Sequence, residues 1–320
     1  MKLTEKKNTV LVTGSSGYVA SELIPRLSDY FSVVGVDKRS SLVTDTIMDI
    51  SSSDFQSVVD EMPSEGVSIV NLAAARFDFG ADARDYYDSN VSCHEIFLRN
   101  LKNVNIERFI HISSVASFDG RKISYSDRLE CDDAYRSTKY LQEKLIRDWC
   151  EEAGVELVIL YPSAIFSKDL RSDTNIGKMQ SITKVLPFIP LVNADKSVTY
   201  LPNFADFIVN VLLKKIPYGR YLTIEKPVLS VSTMIQIISG RRLRVIRIPW
   251  FKNILQAASY FLYLLGGFGK LDLKLTPNRV VKLFNDTSYS YLSHEQVDLD
   301  EYSNQTKDRL PDILKNFNQE

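Results

Sequence analysis

Cysteine is scarce in this chain: three residues in 320 (Cys93, Cys131 and Cys150), with no Cys-x-x-Cys pair. So sparse and odd a set excludes a disulfide framework and fits reduced thiols in a cytosolic compartment. Histidine is as rare (His94, His111 and His294), so no metal centre is expected. Neither sign of charge is in excess. Lys and Arg total 39 against 40 Asp and Glu, a net charge of −1, which points away from nucleic acid and from an acidic tail. A long apolar run is also missing. Ile254–Phe268, ILQAASYFLYLLGGF, is shorter than the roughly 20 residues a bilayer span requires. It reads as a buried helix, or as one that lines an apolar substrate channel or lies on a membrane surface. The N-terminal MKLTEKKN is polar and has no apolar signal core. No repeat or low-complexity tract is present. With 44% hydrophobic and 25% charged residues, the composition is that of a globular enzyme working on a small molecule. The expected location is the cytoplasm, peripheral to the inner face of the membrane if the substrate is carried on a lipid.

The first half alternates β-branched runs with helical spacing. Strands are expected at Thr9–Thr13, Ser32–Val36, Val67–Leu72, Arg108–Ile112 and Glu156–Leu160, and helices at 17–27, 83–103 and 134–153. This rhythm predicts an α/β fold with a doubly wound parallel sheet. It breaks after Phe166 at the polar SKDLRSDTN. Short strands (198–201, 221–224) and helices (204–214, 254–265) follow. The expected division is a nucleotide-binding domain over 1–166 and a smaller mixed α/β substrate lobe over 167–320, which leaves room for a strand returning to the main sheet. Ligands of open α/β sheets lie at the carboxyl ends of the strands, the edge such a lobe would cover.

Residues 10–20 read VLVTGSSGYVA. A strand runs into Gly14-x-x-Gly17-x-x-Ala20: Gly14 permits a tight turn, Gly17 lets the backbone approach a pyrophosphate, and the following helix offers free N–H groups. Asp37 ends the next strand 20 residues beyond Gly17. A carboxylate there accepts from ribose hydroxyls and repels a 2′-phosphate, which favours NAD over NADP. The adjoining Lys38 and Arg39 weaken that preference or are surface charges.

Tyr135-Arg136-Ser137-Thr138-Lys139 places a tyrosine and a lysine on one helix face. A free tyrosine, pKa ~10, is a poor base at neutral pH; a neighbouring ammonium and a cationic nicotinamide ring stabilise its phenolate, so that it can exchange a proton with a substrate hydroxyl. YxxxK alone also describes an ordinary exposed helix face. Here, however, the strand IHISS ends at Ser114, 21 positions earlier. Ser114 would hydrogen-bond the reacting oxygen. Ser113 is the alternative, and a pair of plain turn serines is the third reading.

Together these residues resemble the extended short-chain dehydrogenase/reductase superfamily, whose fold is Rossmann-type. The matching pieces are TGSSGYVA (13–20), Asp37, MDI (48–50), NLAAA (71–75), YYDSNV (86–91), ISSVASF (112–118), YRSTK (135–139) and YPSAIF (161–166), and the resemblance covers at least residues 9–215. It implies that Ser114, Tyr135 and Lys139 are catalytic. It implies that Gly14, Ser16, Gly17, Tyr18 and Val19 hold the cofactor beside Asp37, that Asp49 and Ile50 flank the adenine, and that Leu72, Ala73 and Ala74 pass beneath it. Asn90 would stand beside the active site, and Pro162, Ser163 and Ile165 would abut the nicotinamide, which Lys139 and Tyr135 also reach. A homodimer through the two long helices is expected on the same ground.

Within the superfamily, Phe118-Asp119-Gly120 resembles the VYG of sugar-nucleotide epimerases. Val115-Ala116 stands where dehydratases carry an Asp-Glu pair, which argues against loss of water. VTYLPNFADFIVNVLL (198–213), RIPW (247–250) and LTPNRVVKL (275–283) resemble bacterial N-acetylglucosamine 4-epimerases of O-antigen synthesis, some of which are credited with a polyprenyl-diphosphate-linked substrate. They also resemble 3β-hydroxysteroid dehydrogenase-like members. The arginine motif that clamps the diphosphate in galactose-type epimerases is reduced to Arg247 in VIRIPWFK. Arg241, Arg242 and Arg279 are substitutes or surface charges. Arg76–Phe79 would either touch the sugar or merely pack. Candidate substrate contacts are therefore Phe77, Ala116, Asn175, Arg247 and Arg279. The expected activity is NAD-dependent 4-epimerisation of a diphosphate-linked N-acetylhexosamine through a 4-keto sugar. A dehydrogenase or 4-keto reductase of a nucleotide sugar or steroid-like alcohol is the alternative, and a non-catalytic NAD-binding regulator a minor one.

Overall fold

The computed structural model describes residues 8–75, 82–167, 176–177, 180–181, 188–240, 243–266, 277–289 and 310–315. In chain order the first part comprises β1 (Thr9–Thr13), α1 (Tyr18–Ser28), β2 (Ser32–Asp37), β3 (Thr46–Ile47), α2 (Phe55–Asp60), β4 (Val67–Asn71), α3 (Ala83–Tyr87), α4 (Cys93–Asn100), β5 (Ile106–Ile112), α5 (Ala116–Gly120), α6 (Cys131–Ala153) and β6 (Glu156–Pro162). Then come β7 (Ala164–Phe166), β8 (Phe188–Pro190), β9 (Asp195–Lys196), β10 (Val198–Tyr200), α7 (Leu201–Leu212), β11 (Gly219–Thr223), β12 (Leu229–Ser230), α8 (Val231–Ser239), β13 (Arg244–Ile246), α9 (Phe251–Gly266), α10 (Pro277–Phe284) and α11 (Leu310–Lys315).

Seven strands form one sheet in the order β11-β6-β5-β4-β1-β2-β3, with every neighbouring pair parallel. β1 and β4 are buried along their whole length, as parallel strands covered on both faces must be. Leu11, Ile69 and Phe109 lie at the centre of the core, with Phe55 and Phe97 edge to face beneath them at 5.5 Å. The sheet order reverses between β1 and β4, the switch point at which such sheets bind their ligands. Register carries the candidate residues to one edge: Thr13 lies opposite Val36 and Asn71, Asn71 opposite His111, and Ile112 opposite Leu160. The segments that follow these strands begin at Gly14, Leu72 and Ser113.

The molecule divides into two compact units. The first takes in the described residues of Met1–Ser163 and Tyr200–Thr223, the second those of Ala164–Thr199, Ile224–Glu295 and Ser303–Glu320. The sequence places a boundary at 166, with room for a strand returning to the main sheet; in this division the first unit ends at Ser163 and the chain comes back to it over Tyr200–Thr223. β11 pairs with β6 in parallel, and α7 packs on α1, where Arg26 meets Asp206 at 2.5 Å. Buried Arg108 ties this return to the sheet, donating to Glu156 and to the carbonyl of Val211. Apart from β11, the strands beyond Ser163 are short and pair two by two: β7 with β10, β8 with β13 and β9 with β12.

The two long helices differ from the expectation in detail. α6 begins three residues early, with Asp132 and Asp133 favourably placed in its first turn, and ends on Gly154 at φ +66°. The pattern over 83–103 is broken between α3 and α4 by a π-helical turn, Asp88–Ser92. Such a turn is a frequent mark of a functional site, and this one carries the buried Asn90.

Candidate active site

Gly14 adopts φ +73°, and a Cβ there would lie 2.8 Å from the backbone of both Leu72 and Ala73. Glycine is thus required twice, for the left-handed turn and for the close approach of the chain leaving β4. Gly17 donates its N–H to the Gly14 carbonyl (3.0 Å) and caps α1 without any side-chain acceptor, which leaves the first N–H groups of the helix for an anion. Asp37, 9% exposed, accepts from the backbone N–H of Ser16 at 3.1 Å and of Arg39 at 2.9 Å. The carboxylate is therefore fixed against the glycine turn. The Ser16 hydroxyl is buried with no hydrogen-bond partner among the described residues. A turn with no side-chain cap, an unpaired hydroxyl and a carboxylate fixed at the end of β2 fits a dinucleotide. Tyr18 and Val19 are half-buried at the start of α1.

Asp49 is exposed. Burial acts to raise its pKa, but the N–H and hydroxyl of Ser51 and the charge of Lys38 outweigh it and hold the carboxyl below its usual range. Ile50 packs into the core with Leu11, Val36 and Phe55. Leu72 and Ala73 are half-buried and Ala74 is exposed. The Leu72 N–H donates to the Thr13 carbonyl (3.1 Å), and Asn90 accepts from the Ala75 N–H at 2.7 Å while donating to the Thr138 hydroxyl at 3.2 Å. The π turn thus joins the β4 loop to α6 one residue before Lys139.

The two serines after β5 have different roles. Ser113 is buried and donates to Glu143 Oε2 at 2.7 Å. Ser114 is half-buried, and among the described residues its hydroxyl accepts only the local N–H of Ala116 at 3.2 Å. Of the two, only Ser114 is placed to offer its hydroxyl to a substrate. Ala116 is half-buried at the start of α5. A Cβ on Gly120 would fall 1.9 Å from the carbonyl oxygen of Arg136, so α5 docks on α6 immediately beside Tyr135. The Tyr135 ring is half-buried and stands edge-on to Tyr86, centroids 6.0 Å apart. Lys139, one turn on, is buried; its ammonium donates to the Ile112 carbonyl (3.1 Å) and to Gln142 Oε1 (2.5 Å). Burial brings the Lys139 pKa down to about 7, although Glu143 opposes the shift.

Sequence reasoning missed what lies beneath this pair. Glu143, 5% exposed, accepts three hydroxyls: Ser113, Ser117 at 3.0 Å and Tyr161 at 2.8 Å. It thereby pins β5, α5 and β6 to α6. Gln142 passes the contact on from Lys139 to the Ala73 carbonyl (2.9 Å) and to His94 (2.9 Å), which with His111 meets Asn71. The available signal was polar Gln142 and Glu143 at three and four residues past Lys139, on the face where an amphipathic helix should be apolar. Pro162 is buried, and its carbonyl accepts from the Val115 N–H (3.2 Å). Ser163 ends the first unit and Ile165 lies half-buried on β7 of the second. Arg247 is exposed. Phe77, Asn175, Arg241, Arg242 and the side chain of Arg279 lie outside the described residues. Among the described residues no group of three or more His, Cys, Asp or Glu could hold a metal ion.

Residues 10–200 match the model of the NAD dependent epimerase/dehydratase family. The chain belongs to this family. It is accordingly an enzyme of the sugar epimerase type with NAD as its cofactor. An N-acetyl-alpha-D-glucosaminyl-diphospho-ditrans,octacis-undecaprenol 4-epimerase of Escherichia coli O157:H7 is 27% identical over 235 residues, 71% of this chain and 70% of that one. Among solved structures, this family member is similar to a UDP-glucuronic acid 4-epimerase of Bacillus cereus in complex with UDP-glucuronic acid and NAD (TM-score 0.58, 20% identity, 75% of this chain and 86% of that one). It is also similar to a UDP-N-acetylglucosamine 4-epimerase of Methanobrevibacter ruminantium M1 (TM-score 0.60, 18% identity, 76% and 87%). Both likenesses are of fold.

Proposed function

We propose that this protein is a sugar 4-epimerase acting on an N-acetylhexosamine carried on a diphosphate, through a transient 4-keto sugar. The observation that carries the reading is the pairing of an intact Tyr135–Lys139 helix face with Ser114 at the switch-point edge of the sheet. Bound NAD supplies a reversible hydride acceptor. Tyr135, as its phenolate, takes the proton of the C4 hydroxyl and returns it to the same oxygen when the 4-keto group is reduced; Ser114 donates a hydrogen bond to that oxygen, and the positive charge of Lys139 beneath favours the phenolate. Val115-Ala116 offers no acid or base for loss of water, which favours epimerisation within the family, and the Escherichia coli relative supports a diphosphate-linked N-acetylglucosamine.

The test is to denature purified protein, identify the released nucleotide, and then offer UDP-N-acetylglucosamine without added cofactor. Released NAD with conversion to the galacto epimer is the expected result for a nucleotide carrier. Released NAD with conversion only of a polyprenyl-diphosphate-linked sugar in detergent assigns a lipid carrier. Activity that requires stoichiometric NAD(H) overturns the epimerase in favour of a reductase. We further propose that Asp37 selects NAD. Asp37→Ala removes a charge-assisted pair of hydrogen bonds to ribose hydroxyls, each worth about 1.5–3 kcal/mol, so NAD affinity should fall at least tenfold by calorimetric titration while NADP affinity does not. An equal fall for both nucleotides would show that Asp37 merely shapes the turn.

A further inference from the structure

Charge in this chain is balanced overall but not locally. Between Glu225 and Asp272 there is no acidic residue, while seven lysines and arginines occur, five of them from Arg241 to Lys252. This stretch leads into and contains α9, and the same helix turns its apolar side outward. Trp250 is 80% exposed, Ile254 58%, Tyr260 58% and Phe261 63%. Ile254, Ala257, Ala258 and Phe261 follow one another at three- and four-residue spacing, and all are exposed, so they form one stripe. The helix is held elsewhere: Ser259, on the other side, is buried, and Phe251 in the first turn stacks edge-on against Phe284 of α10 at 5.7 Å. Arg244 and Val245 on β13, and Arg247 after it, are also exposed.

We infer that the outer face of α9, with β13 and the Arg247–Lys252 connection, is a docking surface for an anionic phospholipid bilayer. Exposed tryptophan, tyrosine and phenylalanine beside exposed arginine is the composition of helices that lie in the headgroup plane, where each lysine or arginine near an anionic surface adds to the attraction. Among the described residues no helix is long and apolar enough to cross a membrane, so this one would lie on it. A second copy of the chain is disfavoured as the occupant, because a two-fold contact would set the basic residues beside this stripe, with no acidic residue between Glu225 and Asp272 to answer them, against their own copies. The inference goes beyond the 4-epimerase reading, and it can be tested without substrate.

The test is sedimentation with vesicles of phosphatidylcholine alone and of phosphatidylcholine mixed with phosphatidylglycerol. Binding is expected to the mixed vesicles and to weaken as salt is raised. The chain has two tryptophans, and Trp149 packs at 6.3 Å on Phe109 of the core, so a blue shift of emission on binding should be lost in Trp250→Phe. Ile254→Asp with Phe261→Asp should cut vesicle binding at least tenfold while released NAD per chain and the thermal midpoint stay as in the parent. Failure to sediment with mixed vesicles, equal binding by the double variant, or a concentration-dependent dimer abolished by that variant would each overturn the proposal. Because binding is read without turnover, loss of the 4-epimerase activity would leave this result standing, and the reverse also holds.

Discussion

Tyr135→Phe should lower turnover by about 10³-fold while leaving the fold and the bound nucleotide intact. The substitution removes one oxygen. The ring keeps its edge-on contact with Tyr86 and its place over Ala83 and Ala134, so packing should change little. In the proposed mechanism, what is lost is the atom that exchanges a proton with the substrate hydroxyl, and positioned acid–base groups contribute about 10²–10⁴-fold. Lys139 cannot take over. Its ammonium is directed to the Ile112 carbonyl and Gln142, into the protein beneath the site. Initial rates with diphosphate-linked N-acetylglucosamine, together with NAD released per chain, check this. A variant that keeps more than about a tenth of parental turnover would show that the proton leaves by another route and would move the acid–base role away from Tyr135.

The sheet was legible because its strands are apolar throughout. A run such as TVLVT, buried at every position, has one natural reading in an alternating α/β pattern, and the glycine turn and Asp37 follow from β1 and β2 by adjacency alone. What escaped the sequence depends on contacts between distant segments. The return of β11 to β6 is such a pairing: the sequence leaves room for a returning strand, but nothing within α7 or β11 says which segment it is. The π turn around Asn90 inserts no glycine or proline, the usual punctuation of a break. The polar layer under the active site was hidden for a different reason. Gln142 and Glu143 are residues that ordinarily mark a solvated face, and only the hydroxyls of Ser113, Ser117 and Tyr161, brought from three other elements, make their burial tolerable. The choice between Ser113 and Ser114 was open in the sequence for the same reason, since it rests on which hydroxyl Glu143 takes.

That buried layer should also make the protein sensitive to acid. His94 and His111 are fully buried. Burial, with the nearby Lys139 charge in support, brings His94 down to about 3 and His111 well below its usual range. In the unfolded chain both would titrate near 6.5. Below that value the unfolded state binds protons that the folded state refuses, so stability falls as pH falls, by about 1.4 kcal/mol per pH unit for each histidine. From pH 6.5 to 4.5 His94 alone removes about 2 kcal/mol, and His111 acts in the same direction, a substantial part of an ordinary folding free energy. Lys139 acts in an adjoining window. Its folded pKa of about 7 lies below the unfolded 10.5, so stability rises with pH above 7. The half-buried thiol of Cys93 and the buried thiol of Cys150, raised to about 12 from 9, oppose that gain above pH 9. The expected optimum is therefore mildly alkaline. Urea unfolding at fixed, saturating NAD should show a midpoint that drops steeply between pH 7 and 5, and His94→Gln should remove about one proton from the slope. Equal midpoints at pH 8 and pH 5 would mean that His94 and His111 reach water in the folded state, and that Lys139 is held by a wetter and looser layer than its bonds to Ile112 and Gln142 imply.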